Sequence, residues 1–203
     1  MNTSFANSAR MVGAALRMLL VLTVLTGVVY PLLVTGIGQA AFQHKANGSL
    51  VKVDGKEVGS ELIGQNWNLP GTDKPDPKYF QPRPSNSAYD PLSTGSSQLG
   101  ASDPRLVKRV EAARAQVAAF NAVPESRVPA DAVTGSASAI DPDISPAYAG
   151  IQIDRVARVN RLPAAQVRRL VRDHTDGRAL GFMGEPRVNV LELNIALTKL
   201  ARH

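Results

Sequence analysis

Few residues in this sequence have the types and spacing that catalytic chemistry needs. The chain has three histidines and no cysteine, so thiolate nucleophiles, disulfides and cysteine metal sites are absent. His44 follows a long apolar segment, His203 is the last residue, and His174 falls on the inner face of a predicted helix, where we interpret it as a core residue. No H-x-x-x-H pair occurs, so we predict no histidine-based metal site.

The motifs for acyl and phosphoryl transfer are incomplete. The nearest approach to G-x-S-x-G is residues 135–139, GSASA, which contains Ser136 and Ser138 but lacks the second glycine. The only Gly-Lys pair, Gly55-Lys56, has no glycine five residues before it, so a P-loop is excluded. A D-K-T-G phosphorylation segment is also missing. We therefore predict no catalytic residue in this chain.

Two carboxylates, Asp141 and Asp143, flank Pro142 shortly before a predicted helix start at Ser145. At this spacing they could bind a cation. Asp-Pro-Asp is also typical of a turn, and acids near a helix N-terminus offset the helix dipole. We favour the turn and keep the cation site as the alternative.

A long apolar segment precedes any element that could position such residues. Residues 18–44 carry no formal charge, and about 20 helical residues suffice to cross a bilayer. We predict a transmembrane anchor over residues 11–43, after an irregular cytoplasmic tail, residues 1–10. A cleaved signal peptide is the alternative because Gly38-Gln39-Ala40 resembles a cleavage site, although the apolar core of a signal peptide has only about 7–15 residues. A buried soluble helix is disfavoured because the segment is apolar on every face.

The charges that flank this segment predict its orientation. Arg10 and Arg17 precede it without an acid, whereas the basic residues that follow are matched by acidic ones. Positive flanks stay in the cytoplasm, so residues 44–203 are predicted to be exported. The net charge is +6, with basic residues concentrated between Arg155 and Arg178. We interpret them as a solvated helix face, with an acidic protein or a lipid headgroup as alternative partners, and no aromatic platform for nucleic acid is present.

For the part that we expect to be exported, residues 44–203, the sequence predicts one α+β domain of about four helices and a small β-sheet. A hairpin is indicated around Asp54-Gly55, and a short strand at residues 132–134. Helices are predicted from Pro104 to a point before Pro124, from Pro146 to about Asn160, from Pro163 to near Gly177, and after the cap Asn189. Residues 177–187 are predicted to be a turn region.

A Pro/Gly-rich loop at residues 66–102 separates the hairpin from the first helix. Its six prolines exclude regular helix, whereas its aromatic residues, among them Tyr79, Phe80 and Tyr89, indicate that it is ordered. The aromatic side chains could be held by the domain's own core or by another subunit, and the sequence leaves both open.

Nine segments follow one another along nearly the whole chain: YPLLVTG (30–36), ANGSL (46–50), GSELIGQ (59–65), YFQPRPS (79–85), GSSQLG (95–100), VTGSAS (133–138), DPDISP (141–146), RVAR (155–158) and VNVLELN (188–194). In this order they resemble the C subunit family of the bacterial high-affinity Kdp potassium-transporting ATPase. One departure is Asp143, where many members of the family have histidine.

The resemblance implies a non-catalytic subunit in the bacterial cytoplasmic membrane. Its implied partners are a channel-like potassium-binding subunit, a P-type ATPase subunit, a small extra membrane subunit and the lipid bilayer, with no nucleic acid. It further implies a catalytic chaperone that raises the ATP affinity of the pump subunit. ATP and potassium belong to the complex, and no cofactor is assigned to this chain. An exported domain does not meet ATP, so we expect any such effect to be coupled through the anchor.

Three groups of residues are candidates for these roles. For packing in the membrane they are Gly27, Tyr30, Pro31, Gly36 and Gly38; for partner contacts, Tyr79, Phe80, Arg83 and Tyr89; and for a family motif of unknown role, Ser136, Ser138, Asp141, Asp143 and Ser145. The alternative function is a stand-alone exported binding module or hydrolase that is held by a signal anchor.

Overall fold

The computed structural model of the chain describes residues 3–202, which divide into two units at Ser49 and Leu50. The predicted α+β class is confirmed: an N-terminal apolar helix is followed by further helices and two small antiparallel sheets. Residues 1 and 2 of the predicted tail, and His203, lie outside the described residues.

The N-terminal unit is helical from Thr3. Helix α1 (Thr3–Val24), a π-helical segment (Leu25–Val29), α2 (Tyr30–Ala41) and the short α3 (Gln43–Ala46) follow one another. The prediction of an irregular tail at residues 1–10 is wrong from Thr3 onward, because no proline or glycine interrupts residues 3–12. Among the described residues one helix, Asn7–Ala41, is long and apolar enough to span a membrane, a property that signal sequences share.

The π-helical segment lies immediately before Pro31. The N–H of Tyr30 bonds to the carbonyl of Leu25, five residues back, and Pro31 has no N–H to offer the preceding turn. The Thr26 hydroxyl donates to the carbonyl of Leu22 at 2.7 Å. A wider turn is therefore accommodated in the helix without ending it.

The second unit opens with the predicted hairpin. Strands β1 (Leu50–Val53) and β2 (Lys56–Ser60) pair antiparallel, and Lys52 faces Glu57 across a bulge. Asp54 and Gly55 both have positive φ, 51° and 77°, which is the conformation that a two-residue hairpin turn requires.

Four longer helices follow the irregular loop, as predicted: α4 (Pro104–Asn121), α5 (Pro146–Asn160), α6 (Ala164–Asp173) and α7 (Val190–Ala201). The side chains of Asp103, Ser145 and Asn189 accept backbone N–H groups at the starts of α4, α5 and α7. Helix α6 ends at Asp173 rather than near Gly177, because the chain there enters a strand.

A second sheet has the order β3-β5-β4, with β3 Asp143–Ile144, β4 Thr175–Asp176 and β5 Arg187–Asn189. The predicted strand at residues 132–134 is wrong. Residues Ala130–Ala132 form a 3₁₀ turn, and both the N–H and the hydroxyl of Thr134 bond to the carbonyl of Ala130. These bonds close the segment on itself and leave it no donor for a neighbouring strand.

Helix α5 lies at the centre of the core. Ala149, Ile153 and Val156 are buried on its inner face, as the apolar spacing predicts. Around them pack buried side chains of the other elements: Phe80 of the loop, Val167 and Val171 of α6, Val188 of β5, and Val190, Leu193 and Leu197 of α7. The loop therefore contributes directly to the core of this unit.

Candidate functional site

The Pro/Gly-rich loop is held against the helices by buried amide side chains. Asn194 of α7 accepts from the N–H of Phe80 and donates to its carbonyl, both at 2.9 Å. Gln152 of α5 does the same for Gln81, at 2.7 and 3.0 Å. Each side-chain amide thus satisfies both backbone polar groups of one loop residue, as a neighbouring strand would. Both amides are fully buried, so the core side of the loop is held in place.

Arg155 of α5 extends this attachment. Its guanidinium donates to the carbonyls of Pro77 and Tyr79, at 2.6 and 3.0 Å, and to the side-chain oxygens of Asn121 and Gln152. The side chain is only 2% exposed, and its guanidinium carbon, Cζ, lies 4.4 Å from the centre of the Phe120 ring. Burial lowers the pKa of Arg155 to about 10, which still leaves it charged at neutral pH.

This geometry corrects the interpretation of Arg155 as part of a solvated basic face. The exposed positions of that cluster, such as Arg168 and Arg172, are on the outer side of α6. Arg155 follows Gln152 by three residues, so both lie on one side of the helix beside its apolar face. That pair of polar residues was the available sequence signal for a buried network, and sequence reasoning missed it.

The aromatic residues of the loop are packed within the unit itself. Phe80 is fully buried, and Tyr79 packs on Trp67 with ring centres 4.8 Å apart. Tyr89 is also buried, its hydroxyl donates to the carbonyl of Arg83, and burial raises its pKa. Of the two alternatives left open by the sequence, the domain's own core is therefore what holds Phe80 and Tyr89.

Arg83 connects the loop to the segment before α5. Its guanidinium forms an ion pair with Asp141 at 2.8 Å and donates to the carbonyl of Thr134. Beside it, Ser85 donates to the carbonyl of Ala139 at 2.6 Å. A methyl group at Gly64 would lie 2.4 Å from the Tyr89 ring, so only glycine fits there. Four of the nine segments, 59–65, 79–85, 133–138 and 141–146, thus meet at one place.

The two carboxylates form the turn that was favoured for them. Asp141 accepts the N–H of Asp143 at 3.0 Å, an Asx turn, and Asp143 pairs with Arg187 at 3.4 Å. Burial raises the pKa of Asp143, and Arg187 opposes that shift. Within residues 3–202 no group of three or more His, Asp or Glu side chains is arranged to hold a metal ion.

The serines of the motif have structural partners. The hydroxyls of Ser136 and Ser138 lie 3.2 Å apart, and Ser138 also accepts the N–H of Ile140. Ser145 accepts the N–H of Tyr148 and donates to Asp131 at 2.9 Å. The ring of His174, predicted to be a core residue, is half-buried and contacts the carbonyl of Leu170 at 2.9 Å.

A cavity of about 340 Å³ lies between the loop and α4, next to Ser136. Its polar lining includes Asn86, Ser96 and Arg109, and the Arg109 guanidinium is 3.4 Å from the Asn86 oxygen. None of the described residues that line the cavity is a histidine, aspartate or glutamate. The cavity therefore lacks the side chains that general base catalysis most often uses.

The membrane candidates lie on the N-terminal helix, and all of them are exposed except Gly38, which is half-buried. Methyl groups added at Gly27 and Gly36 would meet no atom within 4 Å, whereas one at Gly38 would lie 3.6 Å from Ala46. Tyr30 is exposed beside Pro31 at the end of the π-helical segment. The helix therefore presents small, open positions within its π-helical segment, at Gly27, and after it, at Gly36.

These features define a class of protein. Its described residues form one helix that is able to span a membrane and an α+β unit whose long loop is held by buried polar side chains. The family model "KdpC: K+-transporting ATPase, c chain" matches residues 12–199. The chain therefore belongs to the KdpC family.

Curated relatives agree over nearly the full length. The chain is 53% identical to the potassium-transporting ATPase KdpC subunit of Streptomyces coelicolor, over 98% of this chain and 97% of that protein. It is 52% identical to the protein of the same name from Streptomyces avermitilis, over 98% of both chains. Identity to the KdpC subunit of Mycobacterium tuberculosis is 47%, over 92% of this chain and 96% of that one.

Proposed function

We propose that this chain is a non-catalytic accessory subunit of an ATP-driven potassium import complex in the bacterial cytoplasmic membrane. In that complex it joins the channel-like potassium-binding subunit, the P-type ATPase subunit and a small extra membrane subunit. The observation that carries the proposal is the family match over residues 12–199, which includes most of the apolar helix and nearly all of the second unit.

The N-terminal helix supports a role within a membrane assembly. It is apolar over Asn7–Ala41, and none of the residues in its most apolar stretch is buried. Gly27 and Gly36 leave open positions through which a neighbouring helix can approach closely. The turn before Pro31 has lost one backbone donor, and in lipid the carbonyl left behind is best satisfied by a donor from another membrane helix.

In the proposed topology the N-terminus is cytoplasmic and the α+β unit is outside. The flanks support it, because Arg10 and Arg17 precede the helix without an acidic residue. Outside the cytoplasm the unit does not meet ATP. We therefore propose that it acts as a catalytic chaperone by contacting two states of the transport subunits differently, which changes the ATP affinity of the pump subunit through the membrane.

The test compares the transport complex purified with and without this chain. The chain is expected to co-migrate with two large membrane proteins in mild detergent. Its removal is expected to raise the ATP concentration for half-maximal hydrolysis about fivefold or more, which corresponds to the lower end of the usual coupling free energies. A chain that migrates alone would contradict the proposal and favour the stand-alone exported module.

A second measurement separates indirect coupling from direct nucleotide contact. The chain has no cysteine, so Ser138→Cys, at an exposed position near the cavity, gives a single labelling site. In sealed vesicles of known sidedness, ATP is expected to leave the labelling rate unchanged. Protection by ATP on the side of the α+β unit would contradict the proposed topology.

A further inference from the structure

The turn between β4 and β5 exposes three large apolar side chains. Leu180 is 83% exposed, Phe182 72% and Met183 53%. We name residues 180–183 the apolar tip. Monomeric proteins expose single apolar residues commonly, but several together on one projecting turn mark an interaction site. The sequence predicted only a turn here.

Backbone hydrogen bonds give the apolar tip a fixed shape. Ala179 and Met183 form two backbone hydrogen bonds: each N–H donates to the other residue's carbonyl at 2.9 Å. This pair closes a three-residue loop over residues 180–182. At the base of the turn Arg178 and Glu185 form an ion pair at 2.8 Å. The backbone that carries the apolar side chains is therefore held in one conformation and is not a structureless loop.

Leu180 has an unfavourable backbone in addition to its exposure. Its φ is 54°, in the left-handed region that residues with a Cβ atom disfavour, whereas the neighbouring Gly181 and Gly184 adopt positive φ without that strain. No buried contact of the leucine side chain compensates, because the side chain faces solvent. The hydrogen bonds of the turn impose this conformation, which glycine would adopt at a lower cost than leucine. Strained residues of this kind occur at sites that contact a ligand or partner.

We propose that the apolar tip docks into an apolar pocket on another protein chain of the same transport complex, with Leu180 and Phe182 as the inserted side chains. This inference rests on the proposed function, because it needs the other subunits. Because the backbone of the apolar tip is already ordered, binding costs less conformational freedom than it would for a flexible loop, and large apolar side chains are effective anchors of an interface.

The charges around the apolar tip favour a protein pocket over the bilayer. Residues 179–184, ALGFMG, carry no charge, and the flanking Arg178 is neutralised by Glu185. The side chain of Glu185 is itself 79% exposed, and moving this carboxylate into a lipid interface would cost part of its hydration. Segments that lie in a membrane interface carry an excess of lysine and arginine beside their apolar face. Here the two flanking arginines, Arg178 and Arg187, are matched by Glu185 and Asp176. A shaped pocket also gives a reason for the fixed backbone, which a fluid bilayer does not.

The test is a photo-crosslink in the assembled complex, in membranes. A benzophenone-bearing phenylalanine replaces Phe182 in one sample and Leu92 in the control. Leu92 is the matched position because it is 95% exposed in the Pro/Gly-rich loop and has no ordered apolar neighbours of this kind. We expect position 182 to crosslink to one other subunit at least tenfold more than position 92 does.

Three results would overturn the inference: crosslinks from position 182 to lipid alone, crosslinks to a second copy of this chain, or yields equal to those from position 92. If the unmodified chain co-purifies with the other subunits while one of these results is found, the proposed function stands and only the docking of the apolar tip is wrong. If the unmodified chain does not co-purify at all, the proposed function itself fails.

A paired substitution gives a second readout. Leu180→Ser with Phe182→Ser is expected to reduce retention of the chain in the detergent-solubilised complex about tenfold, whereas Leu92→Ser leaves it unchanged. The unfolding midpoint of the full chain, followed by Trp67 fluorescence, is expected to stay at the wild-type value because the replaced side chains are exposed. Retention at the wild-type level would contradict the docking of the apolar tip.

Discussion

At the residue scale, Arg155 illustrates how a cation can be kept inside this unit. A buried charge is costly unless hydrogen bonds replace the water that it loses. Arg155 obtains them from the carbonyls of Pro77 and Tyr79 and from two side-chain amides. The guanidinium fork suits this task because its donors point in several fixed directions at once. Its role is thus to position the loop.

Removing this cation is expected to destabilise the unit. Arg155→Met leaves the carbonyls of Pro77 and Tyr79 without that donor, and we expect a loss of about 3 kcal/mol in the free energy of unfolding. The measurement is urea unfolding of the full chain in mild detergent, followed by the fluorescence of the single tryptophan, Trp67, which packs on Tyr79. The matched control, Arg168→Met on the exposed side of α6, is expected to change the value by less than about 0.5 kcal/mol. Equal losses in the two variants would contradict the buried network.

Asp143 gives a prediction about pH. Burial raises its pKa above the ordinary value of 3.8, against the pull of Arg187 and with the help of Asp141, Asp176 and Glu192. The native state therefore holds this proton more tightly than the unfolded state. Stability is expected to fall as the pH rises from 3.8 through the raised pKa.

The measurement is the slope of unfolding free energy against pH across that interval. Asp143→Asn is expected to remove the Asp143 contribution to this fall, although it also weakens the ion pair with Arg187 and so shifts the whole curve. The slope is therefore the readout, not the absolute stability. Asp154→Asn, at an exposed position of α5, is the control and is expected to retain the wild-type slope. An unchanged slope in Asp143→Asn would show that burial does not raise the pKa of Asp143.

At the scale of elements, helix starts connect the family motif to the core. Ser145 caps α5 and is held in turn by Asp131, so the segment before the helix is tied both to the helix and to the 3₁₀ turn. Helix α5 carries Gln152 and Arg155, which bind the loop. The cap at the first turn of α5 therefore helps to position the loop. The DPDISP segment therefore has a structural account that does not need catalysis.

Loss of this cap is expected to be measurable. Ser145→Ala removes the acceptor for the N–H of Tyr148 and the donor to Asp131, and we expect a loss of about 1–2 kcal/mol in unfolding free energy. Ser145→Thr retains the hydroxyl and is expected to restore most of this value. The same urea unfolding measures both. If the alanine and threonine variants were equally stable, the hydroxyl would not be the stabilising group.

At the scale of the whole molecule, the prediction concerns sidedness. Leu92→Cys and Asn7→Cys each introduce the only thiol in the chain. A membrane-impermeant maleimide added to intact cells or spheroplasts is expected to label position 92, which is highly exposed, and to label position 7 only after permeabilisation. Labelling in the reverse order would contradict an N-terminus in the cytoplasm. Mass spectrometry of the same sample is expected to find residue 7 still attached, which excludes cleavage near Ala40.

The sequence by itself determined the features that depend on near neighbours along the chain. The apolar length of residues 18–44, the Asp54-Gly55 turn and the caps at Asp103, Ser145 and Asn189 are local, so their outcome could be predicted. The nine segments also indicated the family, because each is a short stretch that can be recognised from the sequence alone. The prediction of a short strand at residues 132–134 was wrong because Thr134 bonds back to Ala130. The β-branched residues Val133 and Thr134 favour a strand, and they do not show that such a bond forms.

Only the tertiary structure decided which residues meet across long separations. Arg155 lies 76 residues from Tyr79 and Asn194 lies 114 from Phe80, and the sequence does not show that a helix arginine and a helix asparagine will serve a loop. The conformation of the apolar tip was hidden for the same reason, since its backbone is set by bonds within a hairpin whose strands have only two and three residues. Such contacts depend on packing the whole unit, because each polar group must find its partner wherever the core leaves one.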